Sequence, residues 1–249
     1  AFATVISQAV STILVLRFLC SERTIIRFRI KKVKFNGKIL GPCIMLGASP
    51  ALMQLTENMV AISFNTSLQK YGGDMAVASM SILNSIMQFV MLLLPGMVQG
   101  AQPILSYNLG AGNIERVKKA FRYLLAACVT GSFLIWVICM EWPQIIAGIL
   151  TSDQSLISYT IWSVRIYLAV LLIYGIQVAC QYSFVALDNA KAAIFLTIWR
   201  KIILLIPLIF ILPHFVSDPV KGVFLAEPLA DTIAICTTAP MFYHFYRHL

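Results

Sequence analysis

A chain of 249 residues that is 59% hydrophobic and only 12% charged lies far outside the range of a soluble domain, where about half the residues are apolar and about a quarter are charged. Each membrane crossing takes about 20 apolar residues, so the length accommodates six spans and part of another and leaves no room for a folded soluble domain. The formal net charge of +9 would suggest nucleic acid in a soluble protein, but here the cations gather at the ends of apolar runs, as the positive-inside rule requires of cytoplasmic loops, and nucleic-acid binding is set aside.

Taken in order, residues 1–19 read as the end of a membrane helix that reaches its cytoplasmic side at Arg17. The opening residues carry neither an initiating Met nor a basic n-region, so the sequence is expected to be a fragment of a longer chain. Residues 20–38 form a basic cytoplasmic loop: Arg23, Arg27, Arg29, Lys31, Lys32 and Lys34 stand close together and suit an anionic lipid surface. Residues 39–249 then hold six spans. The first, about 39–69, is unusually polar, with Pro42, Pro50, Gln54, Glu57, Asn58, Asn65 and Gln69 among its apolar residues. Tyr71-Gly72-Gly73-Asp74 is a tight turn, and the second span, about 75–98, carries Asn84 and Gln88. Pro95-Gly96 and the passage Gln99-Gly100-Ala101-Gln102-Pro103 read as helix-breaking, a loop at the membrane surface. Gly110-Ala111-Gly112-Asn113 reads as the turn that opens a basic amphipathic helix at Glu115, Arg116, Lys118, Lys119 and Arg122.

The third span, about 119–141, is the most apolar and is expected to face lipid; it stops at Glu141-Trp142-Pro143, where Trp suits the interface and Pro ends the helix. Ser152 or Asp153 can cap the fourth span, about 155–186, which holds Arg165, Gln177 and Gln181. The fifth, about 192–214, contains Arg200, Lys201 and Pro207, and the sixth, about 221–246, contains Glu227-Pro228 and Asp231. Alternating the loops puts the 17–38 cluster, the basic helix start, Lys191 and Arg247 on one face and only Lys70 and Lys221 on the other, so the first face and the C-terminus are assigned to the cytoplasm. The six cysteines show no metal-finger spacing, and five lie in apolar runs, as reduced packing residues do.

A carboxylate in a membrane helix costs roughly 2.5–3.5 kcal/mol on insertion scales and therefore tends to face a cavity. Glu57 is such a residue, on one helix face with Gln54, Asn58, Ala61 and Asn65 at spacings of three and four. Asn84 with Gln88, and Gln177 with Gln181, are further i,i+4 polar pairs. Singly, each pair is ordinary inter-helix glue; polar patches on three helices suggest a shared cavity. Asp231 is a second buried acid, either a cation site or a partner for Arg200. Arg165, Arg200 and Lys201 either snorkel or pair with carboxylates. His214, His244 and His248 lie at span ends without metal spacing, no nucleophile motif stands out, and the 110–112 glycines lack the rest of a dinucleotide motif, so no enzyme and no cofactor is expected.

The stretch Leu94 to Arg122, LPGMVQGAQPILSYNLGAGNIERVKKAFR, resembles the corresponding loop of the multidrug and toxic compound extrusion (MATE) transporters, with its G-x-Q-P and N-x-G-A elements leading into a basic helix start. The likeness extends over about residues 39–247, through Leu68-Gln69-Lys70-Tyr71-Gly72, Arg200 with Ile206-Pro207-Leu208, and Gly222 with Glu227-Pro228-Leu229-Ala230-Asp231. It implies an all-α polytopic membrane protein: a six-helix bundle that is the second, C-terminal lobe of a two-lobed, twelve-helix transporter whose N-terminal lobe is missing here. It further implies secondary antiport, the export of amphipathic organic cations in exchange for H⁺ or Na⁺, in the cell membrane, with a bacterial inner membrane as the setting. Glu57 falls where many members carry a cation-coupling acid. With Asp231 as the second acid, the substrate side is then assigned to Gln54, Asn58, Asn84, Gln88, Tyr174, Gln177 and Gln181. The sequence departs from the family in the fourth span, where some members have an acid and this chain has Tyr174, Gln177 and Gln181, and in the turn Ala186-Leu187-Asp188-Asn189-Ala190-Lys191, which is often glycine-bearing. A flippase for a lipid-linked saccharide, of related architecture, and a non-transporting helical membrane subunit are the alternatives.

Overall fold

A computed structural model describes the backbone of residues 2–20 and 37–249 and the side chains of 5–20 and 54–249, Ala190 excepted. Two compact units divide the chain, 1–48 and 49–249. The first contains α1 (Phe2–Cys20), an apolar helix with Arg17 in its last turn. The basic cluster at 21–36 lies outside the described residues.

The remainder is all-helical among the described residues, and its order follows from where the backbone can and cannot continue a helix. α2 (Gly37–Gly110) is 74 residues long. A straight helix of that length would run roughly 110 Å, several times the roughly 30 Å hydrocarbon core. Gly73, with φ 61° and ψ −157°, breaks it into two arms in a conformation that only glycine adopts cheaply. Then come α3 (Ile114–Glu141), short α4 (Pro143–Leu150), α5 (Gln154–Tyr167) and α6 (Leu171–Ala186). These are followed by α7 (Ala190–Ile198), a π-helical segment Trp199–Leu205, α8 (Ile206–Ile211), a 3₁₀ turn and α9 (Pro219–Arg247). Among the described residues, four helices are long and apolar enough to cross a membrane and the bent pair α5–α6 makes a fifth; dividing α2 at Gly73 gives the six spans expected.

Four details correct the sequence reading. The passage from Pro95 to Pro103 is helical, and the second arm of α2 runs to Gly110 instead of ending near 98. A proline removes one backbone donor and crowds the carbonyl four residues back, but in a membrane no water competes for the freed carbonyl and neighbouring groups relieve it. The turn comes only at Gly110–Asn113, where Gly112 has φ 71° and the Asn113 N–H donates to the Asn108 carbonyl at 2.9 Å. Pro143 starts a helix as well as stopping one, because a proline in the first turn forfeits only a donor that is orphaned anyway. The fourth span is not continuous: α5 and α6 meet at 52°. Finally, the fifth span carries the π segment, in which the Ile206 N–H reaches the Lys201 carbonyl five residues back. Pro207 offers no donor to the preceding turn, and the widened turn accommodates its ring.

α6 packs extensively against α3 and also against α9. At Gly175 of α6, an added Cβ would lie 2.4 Å from the Cys128 carbonyl oxygen of α3, so the two backbones touch because glycine stands there. The Ser132 hydroxyl donates to the Leu172 carbonyl at 3.2 Å in the same seam. Although the outward side of α3 is apolar, as a lipid-facing helix requires, Gly131, Ser132 and Cys128 are buried. The Ser79 and Ser163 hydroxyls, 2.6 Å apart in the interior, tie the second arm of α2 to α5, and the Ser106 hydroxyl donates to the Ala186 carbonyl at 2.8 Å, tying it to the end of α6. Asp188 takes φ 61°, supplying the left-handed residue for which a glycine is commonly used. Cys128, Cys139 and Cys180 are buried free thiols, whereas Cys20 and Cys236 are exposed ones.

The two ends of the 49–249 unit differ in charge. Tyr246 near the end of α9 meets Lys118 and Arg122 at the start of α3, so Arg116, Lys118, Lys119, Arg122 and Arg247 share one end. Ser106–Ala186 brings the start of α7, with Lys191, to that end too. Gly72 lies against Val220 at the opposite end, which carries Lys70 and Lys221.

Candidate functional site: a polar cleft closed by two adjacent cations

The polar stripe of the first α2 arm and the polar pair of the second arm face each other across a cleft of about 520 Å³. Gln54, Glu57 and Asn58 come from one arm and Asn84 and Gln88 from the other, with Met80, Met87 and Met91 between the polar groups and Phe64 and Tyr167 behind. Both arms belong to one helix bent at Gly73, so a single turn brings the two polar patches together. Phe64 and Tyr167 meet edge to face with centroids 5.9 Å apart, which anchors the back wall.

The floor is made by the π segment. In a π turn, successive residues are separated by a smaller rotation than in an α-helix, and neighbouring Arg200 and Lys201 both turn inward, each less than a tenth exposed. Arg200 points to α9. Its Nε donates to Asp231, its Nη2 donates to Glu227 Oε1 at 3.0 Å, and its Nη1 approaches the Tyr174 hydroxyl at 3.5 Å, while its guanidinium lies 5.1 Å from the Tyr174 ring centroid. The planar fork of arginine suits this division among three partners, which a lysine could not reproduce. Glu227 and Asp231 reach it together because they are one turn apart on one face of α9. Lys201 points the other way and pairs with Glu57.

Glu57 therefore departs from the expected unpaired, buried acid. Its side chain is 49% exposed in the cleft and holds Lys201, whose own side chain is 10% exposed. Asp231 is the partner of Arg200 and does not line the cleft, whereas Glu227 does. Tyr174 belongs to the Arg200 cluster, and its hydroxyl also approaches the Met91 sulfur at 3.9 Å. Gln177 and Gln181 do not join the cleft. Gln177 is buried and donates to Gln181 Oε1 at 3.1 Å, and Gln181 donates to the Thr197 hydroxyl at 2.7 Å. They bind α6 to α7 because, beyond the bend at 168–170, this polar face of α6 looks toward α7 and away from α2. Arg165 is exposed and stands outside the cleft lining. Glu227 is a site member that the sequence reading does not assign, and its spacing of four from Asp231 is the signal that marks it.

Three carboxylates, Glu57, Glu227 and Asp231, thus face two cations, Arg200 and Lys201. With every group ionised, the cluster carries one uncompensated negative charge, in a setting where an unpaired charge is costly. No group of three or more His, Cys, Asp or Glu side chains assembles as a metal site among the described residues.

A model of the MatE family matches residues 50–211, which include both arms that wall the cleft and the π segment that floors it. The chain belongs to the MatE family. Among curated relatives, the multidrug export protein MepA of Staphylococcus aureus is 26% identical over 216 residues, covering 85% of this chain and 46% of its own length. MepA of Staphylococcus saprophyticus is 22% identical over 241 residues, 97% of this chain and 52% of its own. The chain thus spans about half the length of the curated relatives it matches. Among solved structures, the MATE multidrug transporter DinF-BH superposes with a TM-score of 0.82 at 28% identity, covering 98% of this chain and 54% of that one. A MOP-superfamily transporter from Pyrococcus furiosus gives a TM-score of 0.86 at 18% identity, with 99% and 55% covered. The MatE chain is accordingly a multi-pass protein of the cell membrane.

Proposed function

We propose that this chain is the second lobe of a two-lobed secondary transporter that exports amphipathic organic cations in exchange for H⁺ or Na⁺, and that its cleft forms half of the substrate path. The surplus carboxylate carries the reading. A cluster of three acids and two bases is at rest when it holds one further positive charge, whether a proton, a sodium ion or the cationic head of a substrate, and competition among these for one charge is antiport in its simplest form. Glu57 is the acid for this exchange because it alone of the three is substantially exposed to the cleft. Gln54, Asn58, Asn84 and Gln88 supply neutral hydrogen bonding for a substrate, and the methionines supply adaptable apolar contact. Asp231 and Tyr174 hold Arg200 in place, and Glu227 links that cluster to the cleft.

The orientation follows the charge: the end with Arg116, Lys118, Lys119, Arg122, Lys191 and Arg247 is cytoplasmic. The exposed polar faces of both α2 arms would meet the missing lobe, in keeping with sites that lie between the lobes of such transporters. MepA homologues in staphylococci favour a bacterial membrane and multidrug export. A flippase for an anionic lipid-linked saccharide would need free cations in the cleft, and Arg200 and Lys201 are both paired.

The test is export of a fluorescent organic cation from proteoliposomes containing the full two-lobed transporter under an imposed H⁺ or Na⁺ gradient. Wild type should export, Glu57→Asp should retain part of the activity, and Glu57→Gln should be inactive. Wild-type export by Glu57→Gln under the same gradient would remove Glu57 from the coupling step.

A further inference from the structure

Away from the cleft, at the basic end of the bundle, the second arm of α2 and the start of α3 enclose a trough of about 500 Å³. Its walls are mostly apolar, with Met97 and Ile104 from α2, Tyr123 and Leu124 from α3, and small residues such as Ala127 leaving the space open; Asn108 is the polar residue on the α2 side. Ile104 and Tyr123 are more than half exposed, so this is open surface. Arg116 and Lys119 line the upper part, exposed and in no ion pair among the described residues. From Ala127 up to Arg116 the α-helix rises about 16 Å, which is close to half the roughly 30 Å hydrocarbon thickness and so to the depth of one leaflet. A neighbouring hollow that shares Lys119 and Tyr123 adds Lys118 and Arg122 against the single acid Glu115. Lys118 and Arg122 are already engaged with Tyr246, one over its ring and one donating to its hydroxyl at 3.3 Å. Arg116 and Lys119 are thus the cations left for an outside anion.

We propose that this trough is a binding site for one anionic glycerophospholipid, with an acyl chain lying between the α2 and α3 walls and the phosphate held by Arg116 and Lys119. An apolar slot of one-leaflet depth topped by two cations complements an anionic lipid at both ends, whereas a free phosphate would use only the top and a zwitterionic lipid would bring to the cations a phosphate whose charge its own ammonium offsets. The site is separate from the cleft and does not depend on the transport reading.

The full transporter, delipidated in detergent, is titrated with phosphatidylglycerol and with phosphatidylcholine of the same acyl composition, and bound lipid is read by native mass spectrometry. Phosphatidylglycerol should bind at least about tenfold more tightly, the order expected from two cations near an anionic headgroup. Arg116→Gln with Lys119→Gln should abolish the difference, while the charge-keeping pair Arg116→Lys with Lys119→Arg should retain it, and Ala127→Trp, which fills the slot, should weaken both lipids. Equal binding of the two lipids by wild type, an undiminished preference in the Gln pair, loss of preference in the charge-keeping pair, or displacement of the lipid by excess inorganic phosphate would each overturn the proposal.

Discussion

Arg200 and Lys201 are neighbours in sequence on the same π turn, yet they occupy opposite electrostatic situations. Arg200 is enclosed with Glu227, Asp231 and Tyr174 between α6 and α9, and each of its three guanidinium nitrogens has a partner. Lys201 meets one carboxylate, on a side chain half open to the cleft. The first arrangement has little freedom to change: removing a partner leaves buried charge behind. The second leaves Glu57 open to the cleft, where the proposed exchange would take place. Enclosed and cleft-facing charge pairs thus start from adjacent residues, both directed inward by the widened backbone turn that Pro207 favours.

The largest effect should come from breaking the enclosed side. Arg200→Met leaves Glu227 and Asp231 buried without a cation and should destabilise the fold by about 3–5 kcal/mol, the range for removing one partner of a buried pair. Lys201→Met is the matched change on the other side; Glu57 turns to water in the cleft, and the loss should stay near or below about 1 kcal/mol, as for ion pairs with an exposed partner. Thermal unfolding of the detergent-solubilised variants measures both, and equal losses would erase the distinction between the two cations.

Between these lies the helix seam that supports the Arg200 side. Gly175→Ala places a methyl against the Cys128 carbonyl and should cost about 1–3 kcal/mol, as overpacking does in a tight interior, whereas Gly148→Ala, where a Cβ meets nothing, should be neutral or mildly stabilising in the same unfolding assay. The smallest effect is expected outside the spans. The Asp153 carboxylate accepts from the Ser155 hydroxyl and backbone N–H, and these hydrogen bonds hold its pKa below the usual aspartate value. A lowered folded pKa contributes stability that is present above the unfolded pKa and is lost as pH falls through the folded one. Asp153→Ala should therefore lower the unfolding midpoint slightly at neutral pH and not at all in strong acid, a pH series that also calibrates how little a surface group contributes.

The comparison also marks what can be read from residue order. Apolar runs located the six spans, and spacings of three and four put Gln54, Glu57 and Asn58 on one face, because helix periodicity is local. Capping by Asp153 and the turn at 110–113 were legible for the same reason. The prolines at 95 and 103 misled because a breaker's effect depends on what surrounds the freed carbonyl, and in a membrane bundle the helix continues. Gln177 and Gln181 misled because the bend between α5 and α6 decides which way they face. The pairings were out of reach: nothing local says that Lys201 takes Glu57 while its neighbour takes Glu227 and Asp231, since that choice is made by the π turn and by the packing of α9. The coupling role assigned to Glu57 rests on the cleft geometry and the surplus charge together.

That surplus can be counted directly. Under the proposed antiport, an organic cation that binds to the full transporter in weakly buffered detergent solution displaces the positive charge held by the cleft. The account predicts the release of about one proton per bound cation in sodium-free solution, or the displacement of one sodium ion where sodium occupies the site, and no release from Glu57→Gln. Binding by wild type with neither proton release nor sodium displacement, or the same release from Glu57→Gln, would contradict it.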